Sequence, residues 1–554
     1  ITALAVARAW PLAGDLDVVV AGGPDGLCRL TLSGFNALSA TDPEPCRPFD
    51  ERRRGLNLGE GAGFLVLERA DRAKKRGKNA IAELARVALA AEAHHITNPE
   101  SEGRTAARVM REALERAGVA PSAIDYVNAH GTGTPLNDAM ESKAIRAVLA
   151  GETERVWVSS NKAQLGHTLA AAGAIETAIS AMCVAERTLP PTVGLENVDP
   201  ACALRHVREL VRLPRVRAVL SNSFGFGGMD AAALVTEPEL APEREQARRR
   251  VVVSSAAVIG PRAAGDATEL SRGEQAAGNA PDAAFALDPA RARRFDRSAR
   301  LCAAATHHAL VHSKLAKARF GVIFGSAFSS VDEAASFVQR IFDKGPRLAS
   351  PADFPNLVPS SPVGHASIYE GLLGPALATA DLQTSGESAI ATAIDLIASG
   401  DADAFVAGAV AVRSKLIDAV FHPLFDEGAS EAPRSESVAA VVVHAAGLEG
   451  GRPIAAIEAA ISRREDEPLD LPPPAPGARA FGAASARGIA RWLERTTWSD
   501  VPIESVERGT GENESVGAAA FGAAARAIER GDTEHALVVG RRNGVVHAFS
   551  LRRV

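Results

Sequence analysis

Three short strings concentrate polar side chains directly after apolar, strand-like runs: NAHGTGTPLND at 128–138, SSNKAQLGH at 159–167 and SNSFGFGGMD at 221–230. Open α/β sheets place their ligands at such strand ends, so these are the positions where chemistry is expected. His130 and His167 offer imidazoles able to donate hydrogen bonds to developing negative charge. Lys162 sits where an ammonium without a carboxylate would be costly, and Glu176, in the apolar run after His167, is its natural counter-charge. A plain core ion pair is the alternative reading of those two. Thr132 and Thr134 alternate with glycines that let the backbone approach a ligand, or else they form a simple polar turn. Phe224 and Phe226 lie in a Gly-rich loop that can swing, or they pack as two loop aromatics. Any one string alone is a weak signal; their order and spacing together are specific.

The elements that must position these residues are legible as well. Short apolar strands (VVVAGG, AIDYVNAH, RVWVSS, RAVLSNS) alternate with helical stretches such as RTAARVMREALERAG. That alternation predicts an α/β fold whose sheets are covered by helices on both faces. The segment ITALAVARAWPLAGDLDVVVAGG at 1–23 reappears as ESAIATAIDLIASGDADAFVAGA at 387–409, a constant offset of 386. A second echo sets AAAGAIETAI at 170–179 beside AAFGAAARAI at 519–528. The chain therefore reads as two tandem copies, 1–236 and 251–554, joined by a Pro-rich, charged linker at 237–250. Because Val251–Gly386 precedes the point equivalent to Ile1, the first copy is expected to be truncated at its N-terminus.

With CRPFD at 46–50 and GLNLGEGAGFLVLE at 55–68, the strings resemble the elongating β-ketoacyl-carrier-protein synthases of the thiolase superfamily over essentially all of 1–236. The resemblance implies a thiolase-like layered αβαβα fold in two copies and decarboxylative condensation of an acyl thioester with a malonyl thioester on acyl carrier protein. It casts His130 and His167 as enolate stabilisers and Lys162, paired with Glu176, as their organiser. It casts Thr132 and Thr134 as holders of the phosphopantetheine arm, and Phe226, beside Phe224, as a gate whose backbone N–H serves the oxyanion hole. The loop ends GGMD where the family usually has Thr or His and then Asn. The family's nucleophilic cysteine lies in a TACSSG-like string, and the second copy has DLQTSG at 381–386, which puts Gln383 in its place. By the offset, the first copy's nucleophile is expected four residues before Ile1. Lys162, His167 and Glu176 fall on Gly511, Val516 and Ala525, and no HGTGT string follows residue 250. The second copy thus resembles chain-length factors, the inactive partners of type II polyketide synthases. Malonyl-decarboxylating initiation domains also carry Gln for Cys, but they keep the histidines.

The expectation is a fused synthase and chain-length-factor pair of fatty acid or polyketide biosynthesis. Its implied partner is acyl carrier protein, with pseudo-twofold pairing of the copies within one chain or between two. No permanently bound cofactor is implied. The clusters Arg52–Arg54 and Arg72, Lys74, Lys75, Arg76 could receive an acidic carrier protein or be solvated helix faces. The rival readings are a degradative thiolase, against which NKAQLGH and HGTGT speak, and a noncatalytic scaffold.

Composition bounds the rest. A chain of 554 residues exceeds one ordinary core, and 46% hydrophobic with 23% charged residues is a globular balance. A net charge of -6 argues against a general nucleic-acid binder. No uncharged apolar run reaches the ~18 residues of a membrane span. Cys28, Cys46, Cys183, Cys202 and Cys302 form neither a metal spacing nor a disulfide framework, which fits a reducing cytoplasm, and the first four read as packed thiols. His94 and His95 read as surface residues, and His206, His307, His308 and His312 have no assigned role.

Overall fold

The computed structural model describes residues 1–13, 16–242, 248–261, 278–311, 313, 315–419, 434–482, 486–506, 510, 513–542 and 544–554. They form two compact units, Ile1–Ala247 with Ala335–Pro355, and Arg248–Ala334 with Asn356–Val554.

The first unit opens with α1 (Thr2–Ala13), β1 (Val18–Asp25), α2 (Arg29–Ala37) and β2 (Gly61–Glu68). It continues through β3 (Glu83–Ala91), α3 (Arg104–Ala117), β4 (Ile124–Asn128), α4 (Pro135–Leu149), β5 (Trp157–Ser159), α5 (Ala172–Glu186), β6 (Ala218–Gly225) and β7 (Met229–Thr236). A five-stranded sheet runs in the order β3-β7-β6-β4-β5, with β4 parallel to β5 and β6. Side-chain alternation divides its cores: Ala218 and Leu220 of β6 join the cluster under α3 and α4, while Val219 joins the one under α5. Apolar residues of α3 recur with helical spacing (Ala106, Val109, Met110, Ala113, Ala117), and Gly118 ends the helix at φ 69°. On the other side of α1 and α5, β1 and β2 form a separate two-stranded antiparallel ribbon. Val18, Val20, Phe64 and Val66 are exposed on it. The stretch Leu169–Glu186 is the one described segment long and apolar enough to cross a membrane, and it is this middle-layer helix, packed on β2 and β6.

The second unit is assembled from β8 (Val251–Ile259), α6 (Arg297–Val311), β9 (Phe320–Gly325), α7 (Ser361–Glu370), β10 (Ala376–Thr379), α8 (Ser385–Ala398), β11 (Ala404–Ala411) and β12 (Ser437–Ala445). Its second half holds β13 (Ala455–Arg464), β14 (Arg479–Gly482), α9 (Ala486–Leu493), β15 (Ile503–Ser505), α10 (Val516–Arg530), β16 (His535–Arg542) and β17 (Val545–Arg553). Two five-stranded halves, β10-β9-β11-β12-β8 and β13-β17-β16-β14-β15, meet at β8 and β13. α8 and α10 fill the middle layer, α6 and α7 cover the first half-sheet, and α9 packs at the far edge of the second, giving αβαβα layering. The β13-β17-β16-β14-β15 order repeats β3-β7-β6-β4-β5 of the first unit strand for strand, a duplication of topology that accompanies the 386-residue echo.

The linker's ends are anchored within the two units. Glu237 N–H donates to Arg217 O at 2.8 Å, and Arg249 pairs with Asp403 at 3.0 Å. Ala335–Pro355, from the second sequence copy, groups with the first unit, where Phe354 packs on Phe35 and Phe337 on Phe354.

Candidate active site

The strand-end strings of the first unit converge. Lys162, 2% exposed, pairs with Glu176 and donates from Nζ to His130 O at 2.6 Å. Asn128 at the end of β4 ties the same elements together, donating to Glu176 O at 2.9 Å and accepting from Asn161 at 2.8 Å. The His130 and His167 rings lie 5.4 Å apart at 82°. Burial, with Lys162 adding to it, holds both imidazoles well below their usual pKa, so both are neutral at physiological pH. Leu169, at φ 45°, points its N–H at His167 Nδ1 at 3.2 Å, which leaves the His167 proton on Nε2. Burial raises Glu176, with Lys162 opposing the shift.

The HGTGT loop is clamped from beneath by two carboxylates of α4. Glu141 accepts the N–H groups of His130 and Gly131, each at 2.8 Å, and the Asn222 amide at 3.0 Å; burial pushes its pKa up to about 7. Asp138 accepts from Phe49 N at 2.8 Å and Gly133 N at 3.2 Å. Gly131 lies at φ 36°, and a Cβ there would come within 2.6 Å of Ser160 Cβ, so the turn requires glycine. Thr132 and Thr134 hydroxyls meet at 2.9 Å. Arg53 donates to Thr134 O at 3.4 Å, Pro135 O at 3.2 Å and Asp199 at 2.6 Å. The basic-cluster reading therefore needs correction at Arg53: its side chain is 5% exposed and braces the loop. Arg52, Arg54, Arg72, Lys74 and Arg76 are exposed but already ion-paired, with Glu196, Asp42, Asp17, Glu239 and Glu68.

Phe224, on β6, lies 5.6 Å from the His130 ring. Phe226, in the following turn, stacks at 5.6 Å on Phe35 of α2, and Phe354 closes the group at 5.1 Å from Phe35 and 6.4 Å from Phe226. Phe354 is accommodated by Gly34, where a Cβ would fall 2.0 Å from its ring.

Residues 2–73 and 244–421 match the N-terminal domain model of β-ketoacyl synthases, and residues 81–196 match the C-terminal domain model. The two matches together take in well over half of the chain. The chain belongs to the β-ketoacyl synthase family. It is 40% identical over 229 residues to 3-oxoacyl-[acyl-carrier-protein] synthase 2 of Coxiella burnetii, covering 40% of this chain and 55% of that relative. It is 41% identical over 233 residues to a putative polyketide β-ketoacyl synthase 1 of Streptomyces halstedii, covering 41% of this chain and 55% of that one. The chain thus spans about half the length of the curated relatives it matches. The solved structure named PfaC Keto synthase-Chain length factor superposes with TM-score 0.80 at 17% identity, covering 100% of this chain and 71% of that one, a likeness of fold. That fold is the thiolase-like one expected for the family.

In the second unit, Gln383 is buried on the turn Leu382–Thr384 that leads into α8. Val516 and Ala525 are buried on α10, and Gly511 lies outside the described residues. Glu387 of α8, 1% exposed, fits between Gly517 and Gly540, where an added Cβ would in each case come within 1.9 Å of its carboxylate. A buried Arg434–Glu514 pair at 3.3 Å adds to the polar filling of this synthase-like unit.

Sequence reasoning passed over Asp138, Glu141 and Phe354, and gave Arg53 a surface role in place of its loop-bracing one. Asp138 and Glu141 carried a signal, since carboxylates three apart in the helix after HGTGT share a face. Two smaller corrections concern packing. Cys28 is exposed rather than packed, standing just before α2 with its Sγ 2.9 Å from Thr31 Oγ1. His95 is half-buried, its Nδ1 accepting from Thr97 and Asn98 N–H at 3.1 Å, whereas His94 is exposed. His206 is buried with Nε2 2.9 Å from Cys202 O, and His307 pairs with Glu370 at 2.9 Å. His312 lies outside the described residues.

Proposed function

We propose that the first unit carries the malonyl-decarboxylating and enolate-stabilising half of a β-ketoacyl-[acyl-carrier-protein] synthase site. The observation that carries this reading is the pair of neutral imidazoles 5.4 Å apart, with the His130 backbone held by Lys162. In the proposed reaction an acyl group rests as a thioester on the nucleophilic cysteine of the family. His130 and His167, the latter through Nε2–H, donate to the thioester oxygen of malonyl carrier protein. The C–C bond to the carboxylate breaks, carbon dioxide leaves, and the electron pair becomes an enolate on that oxygen. The enolate carbon then attacks the acyl thioester, and the cysteine thiolate departs. Thr132 and Thr134 hold the phosphopantetheine arm that carries the substrate, and Phe226 gates the acyl side, with Phe224 against His130.

The second unit is the noncatalytic partner. Gln383 at the nucleophile position, Val516 and Ala525 in place of His167 and Glu176, and Glu387 wedged between two glycines all support that assignment. The working form is a cytoplasmic enzyme of fatty acid or polyketide synthesis that receives acyl carrier protein. The test uses the full-length protein and malonyl carrier protein. His130→Ala or His167→Ala should slow carbon dioxide release at least ~100-fold, the scale of removing one preorganised oxyanion donor. Unchanged release in both variants would remove the assignment.

A further inference from the structure

The turn after Phe224 is stitched to the loop after β3 by two backbone hydrogen bonds. Glu92 N–H donates to Gly228 O at 2.8 Å, and Gly227 N–H donates to Ile96 O at 2.7 Å. The approach is close enough that a Cβ on Gly228 would fall 2.9 Å from Glu92 Cβ. Two buried carboxyl groups flank these bonds. Glu92, 8% exposed, accepts the Glu100 N–H at 3.0 Å. Asp230, 3% exposed, is the second residue of β7, opposite Phe224 of β6 and Ala90 of β3, and among the described residues its buried Oδ2 has no partner.

Among the described residues, Arg108 is the cation that acts on Asp230, while Glu92 and Glu141 add negative charge. Glu141 approaches from α4, and Arg108 of α3 brings a guanidinium that also lies 3.9 Å from Glu112, itself paired with Arg116 at 2.8 Å. His94 and Glu100 act on Glu92 from its own loop. Glu141 receives three N–H donors and Glu92 one, but no described residue donates to Asp230. A buried carboxylate without donors is the one that binds a proton.

We propose that Asp230 is a positioning residue held as the neutral acid, and that its ionisation beside Glu92 releases the 225–228 turn. The GGMD ending thereby makes the stitching of that turn dependent on pH. Burial and then the charge of Glu92 push Asp230 well above the usual carboxylate range, and burial raises Glu92. The sign follows from a folded-state pKa above the unfolded one: the closed turn is fully favoured at low pH and loses support as pH rises through the folded value. The inference deepens the reading of this turn as a gate, but its test reads the turn itself, without substrate or carrier.

Hydrogen exchange of this chain is followed by mass spectrometry on peptides spanning 92–100 and 223–230, with wild type and Asp230→Asn compared at each pH so that intrinsic exchange cancels. As pH is raised over the range in which the chain stays folded, protection of the Glu92 and Gly227 amides in wild type should fall at least ~10-fold relative to Asp230→Asn, which keeps the shape without the charge. Equal loss in both proteins, or lost protection in Asp230→Asn already at the lower pH, overturns the proposal. Glu92→Gln removes the repulsion on its own and should also flatten the profile; a wild-type profile in that variant overturns the proposal even where Asp230→Asn fails to fold.

Discussion

Lys162 reaches His130 through the backbone: its ammonium donates to the carbonyl oxygen of His130 at 2.6 Å while it pairs with the buried Glu176 carboxylate. The lysine therefore fixes where the imidazole stands, and its charge helps keep both rings neutral.

Lys162→Met should break a buried pair and leave Glu176 unmatched, at a cost of about 3–5 kcal/mol in urea unfolding. With its counter-charge gone, Glu176, already raised by burial, rises further. A carboxyl raised in the folded state stabilises fully below its unfolded pKa and loses that contribution as pH rises through the folded one. The variant should therefore lose stability relative to wild type more at alkaline than at acid pH. A pH-independent difference would contradict the pairing.

Arg53→Lys should weaken the 132–135 loop, because a single ammonium cannot span Thr134 O, Pro135 O and Asp199 as the guanidinium does. The expected loss is about 1.5–3 kcal/mol, the range for a hydrogen bond to a charged group. In the full-length enzyme KM for the carrier-bound substrate should rise more than kcat falls. A change confined to kcat would argue against a loop-bracing role.

Phe354→Ala should empty the slot over Gly34 and cost about 3–5 kcal/mol by calorimetry or denaturant titration. Phe226 would lose one of its two aromatic neighbours, Phe35 and Phe354. Product mass spectrometry of the full-length variant should show a shift toward longer chains. Gly34→Ala instead drives a Cβ into the Phe354 ring and should destabilise without lengthening products.

Gln383→Ala should leave the first condensation running, with any effect confined to product length or assembly. Complete loss of condensation in a well-folded variant would show that the second unit performs chemistry.

The site strings were legible because short-range rules govern them. A buried lysine needs a carboxylate, glycines allow the tight HGTGT turn, and polar residues gather at strand ends. Arg53 was not legible, because a run of three arginines does not say which one turns inward; only the fold brings Thr134, Pro135 and Asp199 around it. Phe354 was hidden for a related reason, since it lies more than 300 residues from Gly34 and Phe35 in sequence and on the other sequence copy. The duplication could be read from the Ala-rich helix and strand at a 386-residue offset. In the C-terminal halves the echo covers one helix, 170–179 and 519–528, and the matching strand order emerges only from how the strands pair.

The β1–β2 ribbon sets a practical constraint on handling this polypeptide. Among the described residues its strands pair only with each other, and its open edges run beside exposed Val18, Val20, Phe64 and Val66. Such a surface is a template for strand addition from any neighbouring molecule. Charged substitutions at Val20 and Val66 should therefore lower any self-association of this chain seen by sedimentation at high concentration.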